Sequence, residues 1–120
     1  MPAEGPIAVD AMGGDGAPQT IVRGALDSVT NSGISVCLVG PQRRLRRELG
    51  RFRFLPSGLE LVDAPDVVGM SDPAISVLRG KKHSSLNVCA ELVREGRATA
   101  MVTAGNTGAA WVAAKAALGM

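Results

Sequence analysis

The feature that most constrains this chain is a set of short apolar runs that do not alternate with polar residues. "ISVCLVG" (Ile34–Gly40) is apolar at nearly every position. A strand with one face in water alternates, whereas a strand apolar throughout has both faces covered. "IAVDAM" (Ile7–Met12), "LELVDAP" (Leu59–Pro65) and "ATAMVTAG" (Ala98–Gly105) read as three more strands. Between them lie segments with helical spacing. Pro18–Asn31 carries Ile21, Val22, Ala25, Leu26 and Val29 on one face, and Asn31–Gly33 reads as its stop. Pro41–Leu49 reads as a basic helix with a thin apolar face. Asp72–Gly80 reads as a short helix with Pro73 in its first turn, and Asn106–Leu118 as an alanine-rich helix. Ser84–Glu95 turns Leu86, Val88, Cys89, Leu92 and Val93 inward. Asp66–Ser71 has no periodicity and is expected to be irregular. Strand and helix in alternation predict an α/β fold, a mainly parallel sheet with helices on both faces. The strand order is not readable from one sequence.

The core of such a sheet must be built from small side chains. Apolar residues make up 46% of the chain, which excludes a disordered segment, yet there are two Phe, one Trp and no Tyr among 120 residues. Small side chains bury less area each, at about 25 cal/mol per Å². A core of this kind gains when it continues into a second domain or a partner subunit. The last helix has no strand after it. Residues 1–120 are therefore expected to be a single α/β domain or a fragment of a larger enzyme.

Net charge is +2 and carries no nucleic-acid signal, but the charge is uneven. Arg43, Arg44, Arg46, Arg47, Arg51 and Arg53 are opposed locally only by Glu48. Such a run is either a solvated helix face or a docking patch for an acidic partner. Cys37 and Cys89 lack metal-ligand spacing and read as small, buried, reduced thiols. The start of the chain lacks a signal-peptide pattern, and no apolar run approaches the roughly 20 residues of a spanning helix. A soluble cytoplasmic protein is expected.

In open parallel sheets, ligands bind beyond the carboxyl ends of the strands. Three segments with suitable composition fall there. "VDAMGGDGAP" (Val9–Pro18) places Asp10 near a strand end and Asp15 among Gly13, Gly14 and Gly16. Glycines there serve a tight turn, a close neighbour or a ligand, and either aspartate can bond backbone amides or cap a helix. "GKKHSSL" (Gly80–Leu86) offers Ser84 or Ser85 as a helix cap, with Lys81 and Lys82 before it; helix starts of this kind are ordinary caps or anion sites. "TAGNTGAAW" (Thr103–Trp111) runs from strand to helix with Asn106, Thr107 and Gly108 at the turn, again either a cap or an anion site. His83, the sole histidine, lacks a neighbouring nucleophile and reads as a surface or loop residue. Trp111 reads as core or interface anchor, and Phe52 and Phe54 as local packing.

Taken together and in this order, "IAVDAMGGDGAP", "KKHSSL" and "TAGNTGA" resemble the PlsX family of phosphate acyltransferases. The resemblance extends through "VDAPDVVGMSDPAISVLRGKK" and covers nearly the whole chain. It implies a fold similar to isopropylmalate dehydrogenase and phosphotransacetylase, with this chain as the N-terminal part of a two-domain enzyme that is usually a homodimer. It implies transfer of a fatty acyl group from acyl-acyl carrier protein to inorganic phosphate, giving acyl phosphate for phospholipid synthesis. Asp10, Gly13, Gly14, Asp15, Lys82, Ser84, Ser85, Asn106, Thr107 and Gly108 fall on the family's motif positions and become the expected phosphate and substrate contacts. Acyl carrier protein is acidic, so Arg43, Arg44, Arg46 and Arg47 become its expected docking residues. No cofactor, metal or nucleic acid is expected, and membrane contact is at most peripheral. No side chain is assigned as catalytic, because phosphate is already a nucleophile and a thioester already activated.

This chain departs from the family at three loop positions. Gly16 stands where relatives commonly have histidine, His83 where they have aspartate, and Thr103 where they often have serine. Family members are also typically more than twice as long, so little or no turnover is expected from 120 residues alone. Two other readings remain. "GNTGAA" after a strand suggests an NAD(P)-binding dehydrogenase domain, although the G-x-G-x-x-G spacing is absent. A truncated, non-catalytic module that binds carrier protein is the second.

Overall fold

A computed structural model describes residues 5–52 and 55–119. Among these residues four strands form one sheet: β1 (Ile7–Asp10), β2 (Val36–Gly40), β3 (Leu59–Asp63) and β4 (Ala100–Val102). All pairings are parallel, and the spatial order is β3-β2-β1-β4. The expected α/β class is what the chain adopts. Among the described residues five helices accompany the sheet: α1 (Gln19–Ser32), α2 (Gln42–Leu49), α3 (Ser76–Arg79), α4 (Ser85–Arg94) and α5 (Thr107–Leu118).

The strand order explains why both faces are covered. Parallel neighbours are joined by right-handed crossovers. The chain steps from β1 to β2 to β3 in one direction, so α1 and α2 fall on the same face. It then returns across the sheet to β4 on the far side of β1, so the later helices fall on the other face. The packing follows. Val22, Ala25, Leu26 and Val29 of α1 and Leu45 and Leu49 of α2 meet Val36 and Leu38 of β2. On the opposite face Cys89 and Leu92 of α4 meet Ala8, Cys37 and Val39. A third cluster joins Val77, Leu86, Ala90, Ala109 and Ala113, seating α3 and α5 against α4. Every residue of β2 is buried, as its unbroken apolar run requires.

Several boundaries differ from the sequence reading for identifiable reasons. The first strand stops at Asp10 rather than Met12, because the Met12 amide turns back to bond Asp10 Oδ1 at 3.0 Å. The fourth is three residues long, not Ala98–Gly105, since β4 pairs with β1 alone and the chain bends at Ala104 and Gly105. The helix expected over Asp72–Gly80 narrows to Ser76–Arg79, because Asp72 is held in a turn by the Gly69 amide (2.8 Å) and Lys81 Nζ (2.6 Å). Asp66, in the segment expected to be irregular, forms an isolated parallel bridge with Ser84. Trp111 is 59% exposed, so it is not a core residue. Cys37 and Cys89 are buried free thiols. Burial raises both their pKa values, helped by the Glu60 charge at Cys37 and the Asp10 charge at Cys89. Phe54 and Arg53 lie outside the described residues.

Candidate functional site

The direction in which the chain leaves the sheet reverses between β1 and β4, because the strands after β1 run one way and β4 lies the other. A crevice at the carboxyl ends of such a pair is where open α/β sheets take their ligands. The glycine-rich loop Ala11–Pro18 leaves β1 there, and Thr103–Asn106 leaves β4 beside it. The start of α4 lies at the same edge, because α4 must run back down the sheet to feed β4.

Asp10 joins these three segments. Its side chain alternates with Val9 and so faces the α4 side of the sheet, where it is 3% exposed. Oδ1 accepts from Ser85 Oγ at 2.5 Å and from the Met12 amide at 3.0 Å. Oδ2 accepts from Thr103 Oγ1 at 2.8 Å. Thr103 Oγ1 in turn accepts from the Gly105 amide at 3.1 Å. A buried carboxylate without partners would be costly, and three charge-assisted hydrogen bonds satisfy this one.

The glycines of the first loop answer to this junction. A Cβ at Gly13 would lie 2.8 Å from the Gly105 nitrogen, 2.8 Å from Thr103 Oγ1 and 3.0 Å from Asp10 Oδ2. Gly14 has a φ of +93°, a left-handed conformation that favours glycine, and its Cβ position lies 3.4 Å from Ala104. The room in "MGGDG" is thus taken first by another segment of the chain. Gly16 is crowded differently: a Cβ there would meet Thr20 Oγ1 at 2.5 Å. A histidine at this position would require Thr20 to move.

The other expected site residues divide by how their polar groups are engaged. Ser84 is buried and caps α4, accepting from the Asn87 amide at 3.2 Å. Asn106 caps α5 by accepting from the Ala109 amide at 3.0 Å. Its amide group donates to the carbonyls of Asp72 (2.8 Å), Gly69 (3.1 Å) and Met70 (3.4 Å), which clamps that loop onto α5. Asp15, Thr107 and Gly108 are exposed, as are Lys82 and His83. His83 sits in a loop, as expected, with its amide bonded to Asp66 Oδ2 at 3.2 Å. Among the described residues Lys82 has no ion-pair partner, whereas Lys81 is paired with Asp72 at 2.6 Å and donates to the Val67 carbonyl at 2.7 Å. The lysines of "KKH" are therefore not equivalent.

Free donors remain in the backbone. Among the described residues the amides of Gly14, Asp15 and Gly16 make no backbone hydrogen bond, nor do those of Thr107 and Gly108 at the start of α5. Such amides favour an anion. A cavity of about 520 Å³ lies elsewhere, between α3, α4 and α5, and of the expected site residues it takes in only Lys82. The polar groups converge at the β1–β4 edge and not in this cavity. Sequence reasoning missed Thr103 and Gly105 as members of the junction. Their partners lie at the other end of the chain, and no local pattern signals such a pairing.

The family model described as fatty acid synthesis protein matches residues 6–120. The chain belongs to that family. This bears out the resemblance to PlsX phosphate acyltransferases drawn from the three loops. Similar curated proteins carry the name phosphate acyltransferase. One from Anaeromyxobacter sp. (strain K) is 50% identical over 115 residues, covering 95% of this chain and 32% of its own length. One from Pelobacter propionicus is 48% identical over 107 residues, covering 89% of this chain and 31% of its own length. One from Clostridium acetobutylicum is 39% identical over 114 residues, covering 94% and 34%. The chain thus spans about a third of the length of the curated relatives it matches.

Proposed function

We propose that this member of the fatty acid synthesis protein family forms the phosphate-holding wall of an acyltransferase. The reaction is transfer of a fatty acyl group from acyl-acyl carrier protein to inorganic phosphate, giving acyl phosphate for phospholipid synthesis. The observation that carries this reading is the convergence on Asp10 of the loop after β1, the loop after β4 and the start of α4 at the β1–β4 edge. It gains weight from the phosphate acyltransferase names of the relatives. Their threefold greater length supports a two-domain enzyme in which the remaining chain supplies the other wall. In the same reading the enzyme is a cytoplasmic homodimer; among the described residues no helix is long and apolar enough to cross a membrane.

The chemistry asks for positioning and charge stabilisation. A phosphate oxygen attacks the thioester carbonyl carbon, and the carbonyl electron pair moves onto oxygen. Collapse of this tetrahedral oxyanion re-forms C=O and breaks the C–S bond, releasing the carrier's thiolate, which takes a proton from solvent. Loop amides of Gly14–Gly16 and the α5 start hold the phosphate. Ser84 and Asn106 act by fixing α4 and α5. Arg43, Arg44, Arg46 and Arg47, all exposed on α2, steer the acidic carrier protein to this edge.

The test is hydroxylamine trapping of acyl phosphate by the full-length enzyme carrying this sequence, given acyl-carrier protein and phosphate. Hydroxamate that depends on both substrates is expected, and its absence overturns the reading. Charge reversal at the four arginines should weaken the apparent affinity for carrier protein and flatten its salt dependence. An unchanged response makes α2 a solvated face.

A second reading has one observation in its favour. The order β3-β2-β1-β4, with a glycine-rich loop after β1, is also that of a dinucleotide-binding half. Tight NAD(P) binding in a cofactor titration would favour that reading. Carrier-protein binding without turnover would point to a non-catalytic module.

A further inference from the structure

We propose that Thr103 and Ser85 are positioning residues that act through Asp10, and that none of the three donates to the phosphate. This rests on the acyltransferase reading and changes which atoms of the site bind the anion. Asp10 is buried and accepts from both hydroxyls, at 2.5 Å from Ser85 Oγ and 2.8 Å from Thr103 Oγ1. A hydroxyl carries one proton. With each hydroxyl proton donated to an Asp10 oxygen, neither hydroxyl has a donor left for a phosphate. Thr103 Oγ1 receives the Gly105 amide as well, so its acceptor side is also in use. A carboxylate facing an inorganic phosphate is repelled by it. Asp10 therefore serves the site from behind.

What it holds is the register between two loops. Gly13 lies so close to Gly105 and Thr103 that a single Cβ would not fit. The Asp10–Thr103 bond fixes that approach from one side, and the Asp10–Ser85 bond fixes the α4 start against it. With the register set, the free amides of Gly14–Gly16 and of Thr107 and Gly108 keep a fixed spacing. A preorganised anion cradle depends on such spacing, because donors misplaced by about 1 Å lose much of their effect.

Kinetics of single variants distinguish positioning from direct contact. In the full-length enzyme, Asp10→Asn, Ser85→Ala and Thr103→Val should each raise KM for phosphate about tenfold or more, the scale of a lost charge-assisted hydrogen bond. KM for acyl-carrier protein should change little. The double variant D10N/T103V should be no worse than the poorer single variant, because both break one unit. Thr103→Ser, which restores the hydroxyl, should recover most of the loss. If D10N alone impairs phosphate use while S85A and T103V do not, Asp10 contacts the substrate and the proposal fails. A readout independent of turnover keeps this distinct from the function itself. In the unliganded enzyme labelled with ¹⁵N-glycine, T103V should move the amide signals of Gly13, Gly14, Gly105 and Gly108, and T103S should return them. If unmodified enzyme makes no acyl phosphate but these signals move together, the positioning role stands and the acyltransferase reading falls. Signals that stay in place in T103V overturn the positioning role.

Discussion

At the scale of single residues, the glycines differ in what a Cβ would meet. Gly13 sits against backbone, so Gly13→Ala forces the β1 and β4 loops apart and should cost about 1–3 kcal/mol, as overpacking does. Gly24, inside α1, has nothing within 4 Å of its Cβ position. Gly24→Ala should stabilise by about 0.5–1 kcal/mol, because it removes a flexible residue from a helix interior. Urea midpoints for the two variants should move in opposite directions, and movement in the same direction would contradict the contact assignment. Asp72 gives a pH-dependent test. The Lys81 ammonium, and then the Gly69 amide, hold its carboxyl below the ordinary carboxylate range. A lowered folded value stabilises above the unfolded pKa, and that gain is lost as pH falls through the folded value. The stability gap between the unmodified chain and Asp72→Asn should therefore be widest near neutral pH and close in acid. The sequence made the glycine excess visible. It could not say that Gly105 was the neighbour, because contact across most of the chain leaves no mark in local spacing.

Among elements, the best-read were those whose pattern is also their packing. β2 is apolar because both faces are covered, and α4 shows its inward face as a helical stripe. The poorly read ones are held by particular side chains. α3 is short because Asp72 and Lys81 fix the turn before it, and a run containing Pro73 and Ile75 does not reveal that pairing. Asn106 was legible as a cap but not as a clamp. Asn106→Ala should cost about 1–3 kcal/mol, because it removes the α5 cap and three bonds to the Gly69–Asp72 loop. Asn106→Asp keeps the acceptor for Ala109 but sets a carboxylate against three carbonyls. Hydrogen exchange should quicken in the Gly69–Asp72 loop in both variants, and at the start of α5 chiefly in N106A. Equal protection at the α5 start in the two variants would show that the cap is not what holds it.

For the whole molecule, alternating strand and helix signals sufficed for a parallel sheet covered on both faces. They did not suffice for the order β3-β2-β1-β4, because strand order depends on which crossovers reverse, and each crossover looks alike in sequence. That order is what sets the β1 and β4 loops side by side at the edge proposed to take the ligand. The same arrangement leaves Val102 and Trp111, 55% and 59% exposed, on the outside of a chain spanning a third of its relatives' length. The central claim is that inorganic phosphate binds at this edge through backbone amides. Titrating phosphate into the ¹⁵N-labelled full-length enzyme and following each amide tests it most directly. The expected result is saturable shifts at Gly14, Asp15, Gly16, Thr107 and Gly108. Shifts confined to the arginine-rich helix α2, with these loop amides unmoved at saturating phosphate, would contradict it.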